Sequence, residues 1–167
     1  MLFLKETNLE DAEKEYDYIT QLPTDENGFT NRHFGIKKDE FIHDVLPQMI
    51  NHSKGIDLEE GHVPMTTFFL WENDFIVGLF RIRHYLNDFL RNGAGHIGYG
   101  IKKEERGRGL ATKGLALAIE KAKEIIQDEE IYMSVHCNNP ASLRVQEKNG
   151  AYIHHSNDLE HYTRIKR

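Results

Sequence analysis

Residues 102–111 read KKEERGRGLA, a basic turn with two glycines set between a strand that ends at Ile101 and a long helical stretch. A helix start presents backbone N–H groups that no carbonyl has claimed and the positive end of the helix dipole, and together these make an anion site. Gly107 and Gly109 let the main chain come close to a phosphate, while Arg106 and Arg108 add charge and forked donors. The turn therefore points to a ligand that carries phosphate; the plainer alternative is that its glycines only tighten a strand-to-helix connection. Two familiar phosphate motifs are excluded. The chain has no G-x-x-x-x-G-K followed by Ser or Thr, and Thr112 stands where the third glycine of G-x-G-x-x-G belongs, so ATP and dinucleotides lose ground.

Other reactive residue types form no comparable pattern. The 10 histidines include no H-E-x-x-H and no spaced set, so no metal is expected. Cys137 follows His136, but neighbours on a strand face opposite sides, which argues against a thiol mechanism and leaves Cys137 as an unpaired, buried-type thiol. His154-His155 reads as surface. Arg81, Arg83 and His84 lie on or just after a strand and are placed to hold a carboxylate, whereas the acidic loop with Asp25 and Glu26 would attract a cationic amine. The plainer reading pairs those arginines with acids and leaves the acid to aid solubility.

The elements that must position the turn follow from periodicity. Residues 2–5 are a short strand, and Asn8 caps a helix with Leu9, Ala12, Tyr16 and Ile19 on its apolar side. Residues 23–29, PTDENGF, read as loop. A second helix starts at Asp39 with Phe41, Val45 and Met49 on one face, kinked or broken by Pro47, and residues 55–64 are again loop. From Thr66 the period becomes extended: 66–71 and 75–83 form a hairpin, 84–95 a polar connection, and 96–101 a third strand. Residues 106–127 are the clearest helix, with Ala111, Leu115, Ala118, Ala122 and Ile125 as its apolar stripe. A strand over 131–137 precedes a short helix over 140–149, capped by Asn139, opened by Pro140 and stopped by Asn149-Gly150; strands over 151–155 and 161–165 close the chain. Strands and helices interleave without strict alternation, so an α+β chain with a mixed sheet is expected rather than a doubly wound one.

Composition bounds the rest. With 167 residues, 39% hydrophobic and 29% charged, and no linker, repeat or low-complexity stretch, residues 1–167 read as one globular domain. A single cysteine fits a reducing cytoplasm, and the opening MLFLKETNLE has neither the basic flank nor the apolar run of a leader or membrane span. The net charge of −6 is uneven. Residues 1–60 hold 14 acids against 6 bases, whereas 101–123 hold seven bases against three acids, and solvated helix faces alone would account for such a split.

The turn resembles the acetyl-CoA signature of the GNAT superfamily of N-acetyltransferases: an Arg or Gln, a Gly three residues on, then Gly or Ala two further, met by Arg106, Gly109 and Ala111. A second family element, Asn with Ala or Ser three residues later and a following glycine, is met by Asn139, Ser142 and Gly150. The similarity extends to a group of predicted bacterial acetyltransferases with VP-x-T-T-x-F-L, an Arg-His pair and GHIGY, here at 63–70, Arg83-His84 and 95–99.

The resemblance implies the GNAT fold, a mixed and mostly antiparallel sheet flanked by helices and splayed where the cofactor inserts. It also implies an acetyl-CoA-dependent N-acetyltransferase acting on a primary amine of a small molecule or peptide. The strand backbone at Ile101, Lys102 and Lys103 would pair with the pantetheine arm. Arg106, Gly107, Arg108, Gly109, Leu110, Ala111 and Thr112 would cradle the pyrophosphate, and Asn139 and Ser142 would bond the cofactor from the next helix. A strand bulge, which Gly98 and Gly100 permit, would free an N–H for the thioester carbonyl. The family often places a Tyr on the short helix to protonate the thiolate; Gln146 stands there, leaving Tyr99 or solvent as the acid. His96 suits the general base by type and position, ahead of His84 and His136, and Arg83 and His84 are the substrate-binding residues expected. Family members are often dimers, though no apolar stripe demands one. Two rivals stand beside this reading: a non-catalytic acyl-CoA binding domain, which Gln146 leaves open, and an RNA-binding module, against which the net charge and the lack of interleaved aromatics argue. Neither nucleic acid nor membrane is expected as a partner.

Overall fold

A computed structural model describes residues 1–167. The elements run β1 (Leu2–Glu6), α1 (Ala12–Ile19), β2 (Asp25–Glu26), β3 (Phe29–Thr30), α2 (Lys38–Glu40), α3 (Leu46–Ser53), β4 (Met65–Glu72), β5 (Phe75–Arg83), α4 (Asp88–Arg91), β6 (Ile97–Ile101), α5 (Leu110–Ile125), β7 (Glu130–His136), α6 (Pro140–Lys148), β8 (Tyr152–Ser156) and β9 (Glu160–Lys166). One sheet has the order β1-β4-β5-β6 and a second β7-β9-β8, and all their ladders are antiparallel. The architecture is α+β, the mostly antiparallel and splayed arrangement that the resemblance implies, with two antiparallel sheets that part between β6 and β7. They are joined at one end of the gap, where the His96 N–H donates to Tyr132 O at 2.6 Å.

Both faces of the first sheet are covered, which is why its strands read as apolar runs rather than alternating ones. Phe68, Leu70, Phe80 and Ile82 pack beneath α5, and Phe69, Trp71 and Leu79 pack with Tyr18 and Leu22 on the α1 side. The buried stripe of α5 is Leu110, Gly114, Leu115, Ala118, Ile119 and Ala122, turned slightly from the expected one, so Ala111 and Ile125 are only half-buried. Leu9, expected on the apolar side of the first helix, is 65% exposed, because the helix proper begins at Ala12. Asn8 instead holds the turn before it, accepting from the Glu10 and Asp11 N–H groups.

Three local differences bear on the site. Residues 23–29, expected as loop, carry the β2–β3 hairpin. Asn27 (φ 53°) and Gly28 (φ 83°) make its two-residue left-handed turn, the Asn-Gly pairing such turns favour. Buried Asn31 pins this hairpin to the end of α1, donating to Ile19 O at 2.7 Å and Leu22 O at 2.9 Å. Pro47 does not break its helix: Phe41–Val45 forms a π turn between α2 and α3, immediately before the turn where the proline N–H is missing. The connection over 84–95 contains α4, capped by Asn87 accepting from the Leu90 N–H.

Gly114 sets how closely α5 lies on the sheet. A Cβ there would stand 2.5 Å from Phe80 Cζ and 2.9 Å from Leu70 Cδ2. Gly114→Ala should therefore destabilise the protein by about 1–3 kcal/mol despite the better helix propensity of alanine. Chemical denaturation checks this, and a stabilised variant would contradict the packing.

Candidate active site

Beyond β6 the chain makes a 3₁₀ turn over Lys103–Glu105 and enters α5 through residues 106–109. Gly107 (φ 80°) and Gly109 (φ 74°) both take left-handed conformations that place the following amides in one arc. Helix α5 has no side-chain cap, and its first closing bond is Lys113 N–H to Gly109 O at 3.2 Å. The N–H groups of Gly107, Arg108, Gly109, Leu110, Ala111 and Thr112 consequently have no acceptor within the protein. Together with the positive helix end, they make this turn the candidate anion site.

This arc faces a cavity of about 350 Å³ lined by Tyr99, Gly100 and Ile101 of β6, by Arg106, Gly107, Gly109, Leu110, Ala111 and Thr112, and by Asn139, Ala141, Ser142 and Val145 around α6. A larger depression of about 540 Å³ lies beside Ile119, Asn149 and Tyr152 and has no such set of donors. The chemistry therefore selects the smaller one. Lys102, Lys103 and Arg108 do not line it. Arg108 turns away to Glu72, at 2.8 and 2.9 Å, and to Glu105. Arg106 stays at the mouth, donating through Nε to Ile101 O at 3.1 Å and through Nη2 to Glu26 Oε2 at 2.5 Å.

The β6 edge that faces the gap pairs with no other strand, though Ile101 O accepts from Arg106. Its register with β5 runs evenly from Gly78↔Ile101 to Ile82↔Ile97, so the expected bulge at Gly98 and Gly100 is not there. None is needed. The Lys102 N–H bonds Val77 O, and antiparallel alternation then turns the N–H and C=O groups of Tyr99 and Ile101 toward the gap. The two glycines serve packing instead: Phe29 of the hairpin lies over them, and a Cβ at Gly100 would stand 3.4 Å from its ring.

Tyr99 stacks on Phe80, and its hydroxyl bonds Ser142 Oγ at 2.8 Å; burial pushes its pKa up, so it holds its proton. Asn139 caps α6, accepting from the Ser142 N–H at 3.3 Å. Gln146 is 1% exposed and faces the core, taking the Thr163 hydroxyl at 2.6 Å and donating to Ser134 O at 3.4 Å. Glu26, Asn27 and Phe29, from the segment expected as loop, also line the cavity. Their signal was the Asn-Gly pair.

Other expected site residues lie elsewhere. His96 is fully buried at the join of the two sheets, with Nε2 on Asp128 Oδ2 at 3.0 Å and Nδ1 accepting the Tyr132 N–H at 2.9 Å. Burial, partly opposed by Asp128, pulls its pKa down to about 4. Both ring nitrogens are committed, and the ring does not reach the cavity. His84 bonds Thr66 Oγ1 at 2.8 Å, and Arg83 donates to Gly95 O at 3.0 Å; neither lines the cavity. Cys137 is exposed rather than buried. No three His, Cys, Asp or Glu side chains converge as a metal site would require.

With this geometry in hand, comparisons place the chain. A family model described as "Acetyltransferase (GNAT) domain" matches residues 3–152. No curated protein matches by sequence. Among solved structures, an acetyltransferase of the GNAT family from Streptococcus pneumoniae superposes with a TM-score of 0.63 at 19% identity, over 98% of this chain and 97% of that one. A spermidine N-acetyltransferase chimera of Vibrio cholerae SpeG and hSSAT gives 0.64 at 15% identity, over 99% and 95%. The aminoglycoside acetyltransferase AAC(6')-Ib, in complex with coenzyme A, gives 0.64 at 14% identity, over 100% and 95%.

The placement of His96 makes a prediction. His96→Ala leaves the Tyr132 N–H without its acceptor and should cost about 1–3 kcal/mol at pH 7.5. Because the folded-state pKa lies below the ordinary 6.5, wild-type His96 contributes above that value and loses its contribution as the pH falls through about 4. The stability difference between variant and wild type should narrow over that interval. Denaturation at a series of pH values reads it, and a difference that does not change with pH contradicts the assignment.

Proposed function

The chain belongs to the GNAT acetyltransferase family, and on that premise we propose that it moves an acetyl group from acetyl-CoA to a primary amine of a small molecule or peptide. The observation that carries the proposal is the run of six unpartnered N–H groups at residues 107–112, five of whose residues line a cavity beside a strand edge that pairs with no other strand. These residues fit the cosubstrate: the arc and Arg106 would hold the pyrophosphate, the Tyr99 and Ile101 backbone would pair with the pantetheine arm, and Asn139 and Ser142 would bond it from α6. The similar fold of AAC(6')-Ib was solved in complex with coenzyme A, which supports that choice of ligand.

When bound, acetyl-CoA supplies a thioester whose carbonyl carbon accepts the amine. The new N–C bond forms as the C–S bond breaks, the nitrogen gives up a proton, and the sulfur leaves as a thiolate. Cavity-facing N–H groups of β6 would steady the carbonyl oxygen. Tyr99, kept protonated by its burial, stands in for the tyrosine that Gln146 replaces and would give its proton to the sulfur. No histidine lines the cavity, so the amine proton would pass to water. We place residues 1–167 as one domain working in the cytoplasm.

The buried position of Gln146 favours one other reading, an acyl-CoA binding domain without turnover. Thiol release on mixing acetyl-CoA with a broad amine panel excludes that reading; binding with no release on any amine supports it.

Acetyl-CoA and CoA at a hundredfold excess over Kd should stabilise the protein by about 2.7 kcal/mol, and ATP should not match them. Gly109→Val forces a β-branched residue into a left-handed conformation and should weaken CoA binding by about tenfold or more. Thermal shift and calorimetric titration check both, and no response to millimolar acetyl-CoA would refute the proposal.

A further inference from the structure

Two arginines on the α1 side of β5 have no counter-ion. Arg81 and Arg83 are both half-buried and, two residues apart on a strand, they share a face. Each donates only to a main-chain carbonyl: Arg81 Nη1 to Thr30 O at 2.6 Å and Arg83 Nη1 to Gly95 O at 3.0 Å. Neither pairs with a carboxylate. Arg32 nearby adds positive charge, while His33 stays neutral. Burial, with Arg83 and Arg32 beside it, pulls Arg81 down to about 10, and burial with Arg81 and Arg32 pulls His33 down to about 4. Arg32 itself reaches only an exposed Glu59 at 3.7 Å.

A half-buried guanidinium without an anion has surrendered hydration and gained little in exchange. Arg81 is also close to the chemistry. Its Cζ lies 4.8 Å from the centre of the Phe29 ring, and Phe29 is a wall of the candidate cavity lying on Gly98 and Gly100. One aromatic ring separates the two.

The geometry points to a subsite at Arg81 and Arg83 for an anionic group on the acceptor, making the substrate an amine that also carries a carboxylate or a phosphoryl group. This deepens, and rests on, the acetyl-transfer reading. Forked donors on adjacent same-face positions suit planar or tetrahedral oxyanions, and the short span to the cavity suits an amine a few bonds from the anion, as in an amino acid.

Two readouts keep the subsite separable from acetyl transfer. In the first, without acetyl-CoA, melting temperature is followed against α-amino acids, the amines left on removing their carboxyl groups, and the matching aminophosphonates. A saturable rise with the carboxylated or phosphonylated compounds, absent with bare amines and lost in Arg81→Gln and Arg83→Gln, is expected, and the stronger series identifies the anion. Arg81→Gln alone should melt at or above wild type, since Gln keeps a donor for Thr30 O and removes the uncompensated charge. In the second, thiol release with acetyl-CoA should favour the anionic series over bare amines by about tenfold or more in kcat/KM, with the preference erased by Gln at either arginine and partly kept in Arg81→Lys, and the acetyl-CoA Kd unchanged. Anion-dependent stabilisation without thiol release on any amine removes the acetyl-transfer reading and leaves the subsite standing. No response from any anionic compound in either readout, an equal response to bare amines, or a response kept in both Gln variants overturns the subsite.

Discussion

Six consecutive N–H groups without acceptors are tolerable only where water or an anion can take them, and much of this molecule is arranged around that run at residues 107–112. The run exists because Gly107 and Gly109 hold left-handed conformations that no ordinary side chain occupies cheaply. Its position is fixed from behind. Gly114 lets α5 sink onto Phe80 and Leu70, and the stripe of Leu115, Ala118 and Ala122 continues that contact along the helix. The parting of the sheets between β6 and β7 then does in backbone what the turn does in charge, leaving an unpaired strand edge beside the helix start.

The two arginines of the turn are already paired: Glu26 engages Arg106, while Glu72 and Glu105 engage Arg108. Arg81 and Arg83 break this pattern, since they meet carbonyls instead of carboxylates.

How far the sequence reveals this depends on the range of each interaction. Gly107, Gly109, Asn139 and Ser142 were legible because their meaning is local: a left-handed turn, a helix start, a cap. The β2–β3 hairpin was missed even though Asn27-Gly28 signals it, because strands of two residues show no period. His96 was misplaced for a different reason. The strand expected over 96–101 includes it, but β6 begins at Ile97, and Asp128 and Tyr132 claim the ring from across the gap. Gly98 and Gly100 were read as sites of a bulge, whereas their missing side chains make room for Phe29, which belongs to a distant part of the chain. Local grammar gave the cradle; partners from distant segments decided which side chains could reach it.

Backbone amide resonances test the central claim most directly. On titrating ¹⁵N-labelled protein with CoA, the largest shifts should fall on Gly107, Gly109, Ala111 and Thr112, with further shifts at Tyr99, Ile101, Asn139 and Ser142, as acceptorless N–H groups gain phosphate and pantetheine partners. Shifts confined to another surface, with residues 107–112 unmoved at saturation, would contradict it.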